Sequence, residues 1–301
     1  MKTPGGNTAA MEGLSKVDLF CHVIRIQTPR TYTTSGTLLL AVPMFYFEVL
    51  HLSNGQAVSH LVPLWIPFRL FWAYFTGTAL IASGFAIILR KQDRLAAFLL
   101  GEMLLSFVFL IHAPNILRAI IERPADFVVL WNTDGSGGLS SALKDVALTI
   151  SVFLLASADP RFTRRNVYVM LLRIAYASVI VLFGIEHFLY TRLTPGISSA
   201  TFVPFWIPVP LMLSYLSGAL FVICAALTLV TRTAHQPMVI LAVFIVLATL
   251  FTYGFRLLAH QGNTGALIST ATDLAIAGGA LILAGHVAEN GQLEENATEL
   301  R

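Results

Sequence analysis

Five ionisable side chains that can move protons lie within long apolar stretches of this sequence. They are Glu48, Asp145, Glu186, His187 and Asp273. An ionisable group inside a membrane span is costly and marks a functional site by default. Histidine titrates near neutral pH, and its ring nitrogen also binds metal or donates to a quinone carbonyl. These residues are therefore the candidate catalytic groups, in a polar cavity open to the outer side of the membrane, with proton transfer as their chemistry.

The same residues also have a structural explanation. Glu186 and His187 could close the end of a helix onto the following loop, and Asp145 stands where an acid complements the helix dipole. Asp273 lies deeper, about eight residues into its helix or roughly 12 Å at 1.5 Å per residue. Capping explains that depth poorly, so the sequence predicts a cationic partner for Asp273, and Arg256 is the candidate.

The composition indicates that the elements holding these residues are membrane spans. The chain has 301 residues, of which 56% are hydrophobic and 12% charged. Soluble domains carry about 25% charged residues. Lysine and arginine are few and lie mainly in short loops, where they indicate topology rather than a nucleic-acid partner. Cys21 and Cys224 form neither a disulfide framework nor a dithiol motif.

Eight stretches are long and apolar enough to cross the bilayer as helices. Their predicted bounds are 36–53, 69–90, 95–117, 142–158, 166–190, 209–231, 236–260 and 265–286. Cations concentrate on one side, which predicts that both termini are cytoplasmic, while Arg69, Lys144 and Arg256 stand at span edges. Residues 1–34 then form a cytoplasmic segment with a stretch suited to the membrane surface. Residues 288–301 form an acidic cytoplasmic tail.

A repeated phrase divides the chain into two halves. "LVPLWIPFR" at 61–69 returns as "FVPFWIPVP" at 202–210, and each is followed by a helix that begins Tyr-x-x-Gly. Glu48 aligns with Glu186 and Asp145 with Asp273. We therefore predict an all-α membrane protein with eight transmembrane helices, as two parallel-repeat four-helix bundles at 35–160 and 161–287.

The repeated loops and several isolated polar residues suggest further roles. The prolines prevent either helix from continuing, and the tryptophans suit the headgroup level. The residues predicted to be structural in these loops are Pro63, Trp65, Pro67, Pro204, Trp206 and Pro208. Glu102 and Arg173 share a depth and are predicted to pair between the halves. Trp206, Tyr215, His112 and His260 are candidate cofactor contacts, although no spacing among the histidines supports heme or metal.

The two halves differ most between their third and fourth spans. The outer loop at 118–141 is long and contains "ADFVVLWNTDGSGG", whereas the second half has only "HQGNTG". A long asymmetric loop suits docking of another protein of a membrane complex. Tolerance of an insertion is the alternative explanation.

The second half resembles a known family. "GIEHF" at 184–188, the following Pro-x-Trp-Ile-Pro and the Tyr-x-x-Gly helix start are similar to the DoxX-like integral membrane proteins. The resemblance implies a four-helix unit and an association with quinone-linked or thiol-linked redox systems. The first half departs from the pattern, since Glu48-Val49-Leu50 stands where the pattern has Glu-His-Phe. A site that needs this histidine is therefore expected in the second half alone.

Three classes of function remain open. The first is a membrane subunit or anchor of an extracytoplasmic redox system in a bacterial or archaeal cytoplasmic membrane, for which the cofactor stays open and quinone is the candidate. The second is a structural or assembly subunit of a larger complex, which needs no catalytic site. The third is a small-solute carrier, for which the sequence shows no broken helices at mid-membrane.

Overall fold

A computed structural model describes residues 16–122, 138–157, 165–190, 209–230, 235–254 and 264–299. Every regular element within those ranges is helical, in agreement with the predicted all-α class. The helices are α1 (Lys16–Ser53), α2 (Gly55–Ser59), α3 (Arg69–Ile88), α4 (Asp93–Phe107), α5 (Ala113–Glu122), α6 (Leu139–Ala156), α7 (Arg165–Leu189), α8 (Pro210–Val230), α9 (His235–Thr249) and α10 (Thr264–Glu299).

One short π-helix occurs in the third span of each half. The first, π1, is Val108–His112 between α4 and α5, and the second, π2, is Leu250–Gly254 after α9. A π-helical turn adds a residue to the helix and is frequent at functional sites. The interruption falls at the same place in the order of elements in both halves. The repeat itself stays a prediction from the sequence.

Eight of the described helical segments are long and apolar enough to cross a membrane. In hydrocarbon a helix satisfies its backbone N–H and C=O groups internally, so long apolar runs become continuous helices. Two segments extend beyond the predicted spans. Helix α1 already begins at Lys16, and α10 continues to Glu299 through most of the predicted acidic tail.

The two halves interlock rather than standing side by side as closed bundles. Helix α1 packs most extensively along α10, so the first span of one half lies against the fourth span of the other. Helix α7 lies against α6 in the reciprocal arrangement, and α6 also contacts α10. These two fourth spans are central, because 72% and 67% of their residues are buried against 28–44% in the other six.

Glycine lets the backbones of α1 and α10 meet. A Cβ on Gly278 would lie 2.6 Å from the carbonyl oxygen of Gly36, and one on Gly36 would lie 2.5 Å from that of Gly278. Small residues at such crossings allow the close packing that holds membrane helices together. Gly184 and Gly218 form a second crossing of this kind between α7 and α8. The core is thus built on helix contacts both within and between the halves.

Candidate functional site

The beginning of α6 is the centre of the polar contacts at the end of the molecule that carries Trp65, called here the outer end. Ser140 and Lys144 are four residues apart and therefore share one face of α6. Asp145 is the next residue and lies about 100° further around the helix. Helix α6 thus presents polar groups to the second half on one side and to its own half on the other.

The first contact is an ion pair between the halves. Lys144 Nζ lies 3.5 Å from Asp273 Oδ1, and the two side chains are 15% and 10% exposed. The cationic partner expected for Asp273 is therefore found, but it is Lys144 on α6. The predicted partner Arg256 lies outside the described residues. The sequence prediction treated Lys144 as a marker of a span edge, although an ionisable residue inside a predicted span was itself the signal.

Glu186 joins the same cluster from α7. Its side chain is fully buried, and the Ser140 hydroxyl donates to Glu186 Oε1 over 2.9 Å. The Lys144 ammonium is close enough to Glu186 and Tyr253 to interact with them electrostatically. We call Ser140, Lys144, Glu186 and Asp273 the inter-half cluster. It brings together two of the predicted catalytic acids, and Ser140 had not been foreseen.

The second contact lies within the first half. His112 Nε2 donates to Asp145 Oδ2 over 2.9 Å, and the side chains are 9% and 26% exposed. His112 is the last residue of π1, so the π-helical turn helps set the position of the ring beside α6. A covered imidazole thus bonds to a carboxylate that is reachable from outside the protein. This arrangement can hold a proton and pass it to a group that reaches Asp145.

His187 lies beside the inter-half cluster at the end of α7. Its Nδ1 donates to the Phe183 carbonyl over 2.9 Å, and its ring stacks on Phe221 with centroids 5.3 Å apart. The Ser214 hydroxyl donates to the His187 carbonyl over 2.9 Å. These contacts fix the ring, which is nearly fully buried. The predicted contact between Glu186-His187 and the following loop involves residues outside the described ranges.

The structure changes the alignment of the two halves at the end of the first helix of each half. His51 Nδ1 donates to the Phe47 carbonyl, the residue four before it, as His187 does to Phe183. A Cβ on Gly77 would meet His51 Cβ at 2.8 Å, and one on Gly218 would meet His187 Cβ at 3.0 Å. His51 is therefore the counterpart of His187.

This register changes two expectations. A histidine occupies this position in both halves, so the departure from the sequence pattern does not confine a site that needs the histidine to the second half. Glu48 aligns with Gly184, and Leu50 stands where the second half has Glu186. Glu48 is buried within α1, away from the position equivalent to Glu186. The acid, rather than the histidine, is what distinguishes the second half.

The proline loop of the first half is a folded turn attached to α3. The Trp72 indole donates to the Pro67 carbonyl over 3.1 Å, and the Ile66 amide donates to the Pro63 carbonyl over 3.0 Å. Trp65 is 69% exposed, as an aromatic anchor at the headgroup level would be. The corresponding loop of the second half, which contains Pro204, Trp206 and Pro208, lies outside the described residues.

The remaining candidates lie apart from these contacts. Tyr215 is exposed and stacks on the exposed Phe188, with ring centroids 5.9 Å apart. This contact lies on the surface of α7 and α8, so Tyr215 does not line the inter-half cluster. Arg173 donates from Nε to the Thr228 carbonyl over 2.7 Å, within its own half, and Glu102 is exposed. Their pairing stays a prediction. His260 and most of the predicted docking loop fall outside the described residues.

In the part of the chain that the structure describes, no three histidine, cysteine or acidic side chains are grouped so as to hold a metal ion. No family model, curated protein or solved structure matches the chain. The functional assignment therefore depends on the geometry of the site and on the resemblance of its motifs.

Proposed function

We propose that the protein is the membrane subunit of a redox system at the predicted outer face, with a quinone as its lipid-soluble electron carrier. In this proposal a partner protein supplies the electrons, and this chain binds the quinone headgroup and handles its protons. The family resemblance of the second half supports the redox class. The resemblance alone does not identify the residues, which the geometry must supply.

The contact between His112 and Asp145 carries the proposal. A quinone, when bound, takes up two electrons and two protons on becoming a quinol, so its site needs groups that hold and release protons. His112 and Asp145 bond to each other at 2.9 Å, and the carboxylate is the more exposed of the two. An imidazole that donates to a carboxylate provides a path along which a proton can move between the two groups.

The donor set fits a quinone carbonyl in its chemistry. A carbonyl oxygen accepts a hydrogen bond, and the Asp145 carboxyl can donate one once it is protonated. The Nε2–H of His112 already donates to Asp145 and holds that carboxyl in place. Phe109, three residues before His112 in π1, is 63% exposed and adds apolar surface at this end of the span, as ligand sites commonly have. The pair lies at the outer end of two membrane spans, where a lipid-soluble carrier arrives from the bilayer.

The inter-half cluster supports the same chemistry from the other face of α6. Lys144 and Asp145 are consecutive residues, so a displacement of α6 moves both polar contacts together. The ion pair of Lys144 with Asp273 and the Ser140–Glu186 bond fix the position of this helix end against the second half. In this proposal the cluster acts as a positioning group for the pair of His112 with Asp145.

The test is the quinone content of the purified protein. We expect the wild type to retain quinone and Asp145→Asn to retain about 10- to 100-fold less, since a hydrogen bond to a charged group contributes about 1.5–3 kcal/mol. Glu102→Gln is the control, because it removes an exposed carboxylate from the neighbouring third span, whereas Asp145 lies on the fourth span. Equal quinone content in all three proteins, at equal yield, would contradict the proposal.

A second candidate, a structural subunit of a larger complex, is favoured by one surface. The outer part of α3 and the turn before it expose Leu64 (86%), Phe68 (80%), Trp65 (69%) and Phe71 (59%). An apolar surface at a membrane boundary suits a protein partner as well as lipid. This candidate predicts that Phe68→Ser and Phe71→Ser release a co-purifying protein, whereas Asp145→Asn leaves the complex intact.

A further inference from the structure

The turn between α3 and α4, at the end opposite Trp65, carries two adjacent cations. Arg90 and Lys91 are both exposed. Arg90 Nη2 donates to Thr34 Oγ1 on α1 over 3.3 Å. Arg30 is exposed and lies one helical turn before Thr34, on the same face of α1. One cation of α1 and two cations of the α3–α4 turn therefore lie near the Arg90–Thr34 contact, at the predicted cytoplasmic boundary.

The backbone of this turn is held in a conformation that favours glycine. Arg90 has φ 51° and Gln92 has φ 53°. The Lys91 amide donates to the Ala86 carbonyl and the Arg90 amide to the Ile87 carbonyl, which is the Schellman pattern that ends helices. A left-handed conformation strains a residue that carries a Cβ. Glycine would end α3 with less strain, so helix termination does not explain the arginine.

The surface beside these cations is apolar and continues along α3. Leu89 is 60% exposed and Phe85 is 52% exposed, one turn further into the membrane on α3. Phe85 meets Phe45 of α1 edge to face, with centroids 4.9 Å apart, so the two aromatic rings continue the α1–α3 seam. A ligand that matches this surface has an anionic head and an apolar tail.

We propose that Arg30, Arg90 and Lys91 form a binding site for the phosphate headgroup of an anionic phospholipid. The acyl chains lie along Phe85 and Leu89. Basic clusters immediately beside membrane spans attract anionic headgroups, and each cation contributes about 1 kcal/mol near such a surface, or about fivefold in affinity. The neighbouring acid is Asp93, whose Oδ1 accepts from the Arg94 amide in the first turn of α4.

The experiment measures thermal unfolding of the full chain in neutral detergent with added phosphatidylglycerol or phosphatidylcholine. Phosphatidylglycerol raises the Tm of the wild type above its value in phosphatidylcholine, and half of that rise is reached at a defined lipid concentration. Arg90→Gly relieves the left-handed strain, so it has an equal or higher Tm in phosphatidylcholine. It needs about fivefold more phosphatidylglycerol for the same rise. Arg90→Lys keeps the charge and most of the response.

Two further variants separate the site from general charge effects. Arg30→Gln weakens the response to phosphatidylglycerol without changing the backbone of the turn. Arg118→Gln removes an exposed arginine at the opposite end and leaves the response unchanged. The proposal is overturned if Arg90→Gly and Arg30→Gln respond as the wild type does. It is also overturned if inorganic phosphate alone reproduces the rise, since the site would then take a free anion.

Discussion

Lys144 and Asp273 bridge the two halves of the protein, with 3.5 Å between Nζ and Oδ1 and with both side chains largely withdrawn from the surface. The residues come from the two central spans, α6 and α10. A buried ion pair adds little net stability compared with apolar packing, but the loss of one partner leaves a buried charge. The pair therefore fixes how the fourth spans are aligned.

Removal of the ammonium alone should destabilise the protein strongly. Lys144→Met leaves the Asp273 carboxylate buried without this cation, and we expect the free energy of unfolding to fall by about 3–5 kcal/mol. Denaturant unfolding in detergent measures the change. The double variant Lys144→Met with Asp273→Leu should recover most of the loss, because it removes both charges. A double variant as unstable as the single one would show that the pair is not the cause.

The crossing of α1 and α10 predicts a large effect from a single methyl group. A Cβ on Gly278 would lie 2.6 Å from the Gly36 carbonyl oxygen, and neither backbone can yield easily. We expect Gly278→Ala to lower the free energy of unfolding by about 1–3 kcal/mol. Gly291→Ala on the same helix is the control, since a Cβ there meets nothing within 4 Å. Equal stability of the two variants would rule out the close crossing.

The Ser140–Glu186 bond predicts a coupling between α6 and α7. Ser140→Ala removes the hydroxyl that donates to a fully buried carboxylate, and we expect a loss of about 1–3 kcal/mol in the free energy of unfolding. A double-mutant cycle with Glu186→Leu measures the interaction, because Leu50 occupies the corresponding position in the first half. Strictly additive losses would show that the two side chains do not act on each other.

The spans were predictable because their signal is local. A run of about 20 apolar residues can satisfy its backbone in lipid only as a helix, and the eight predicted spans are confirmed as candidate membrane helices. The packing order was not predictable in this way. Hydropathy does not say that α1 lies against α10, and the Gly36–Gly278 crossing that allows it involves glycines far apart in sequence.

The polar site was predicted in part. The acids at 145, 186 and 273 were found because charge inside a span is rare, and the structure gives each a specific partner. Lys144 was assigned to topology because a cation near a span edge usually has that role. The sequence aligned Glu48 with Glu186 because both are glutamates. The contact of His51 with Gly77 instead aligns His51 with His187, which places Leu50, two residues after Glu48, opposite Glu186. Identity of residue type was a weaker guide than packing against a glycine.

The central claim is that the pair of His112 and Asp145 handles the protons of a quinone. Its most direct test is equilibrium binding of a short-chain quinone to the protein in nanodiscs, followed by quenching of tryptophan fluorescence. The account predicts saturable binding to the wild type and to Glu102→Gln, with affinity about 10- to 100-fold weaker for Asp145→Asn and His112→Gln. Absence of saturable binding, or equal affinity in all four proteins, would contradict it.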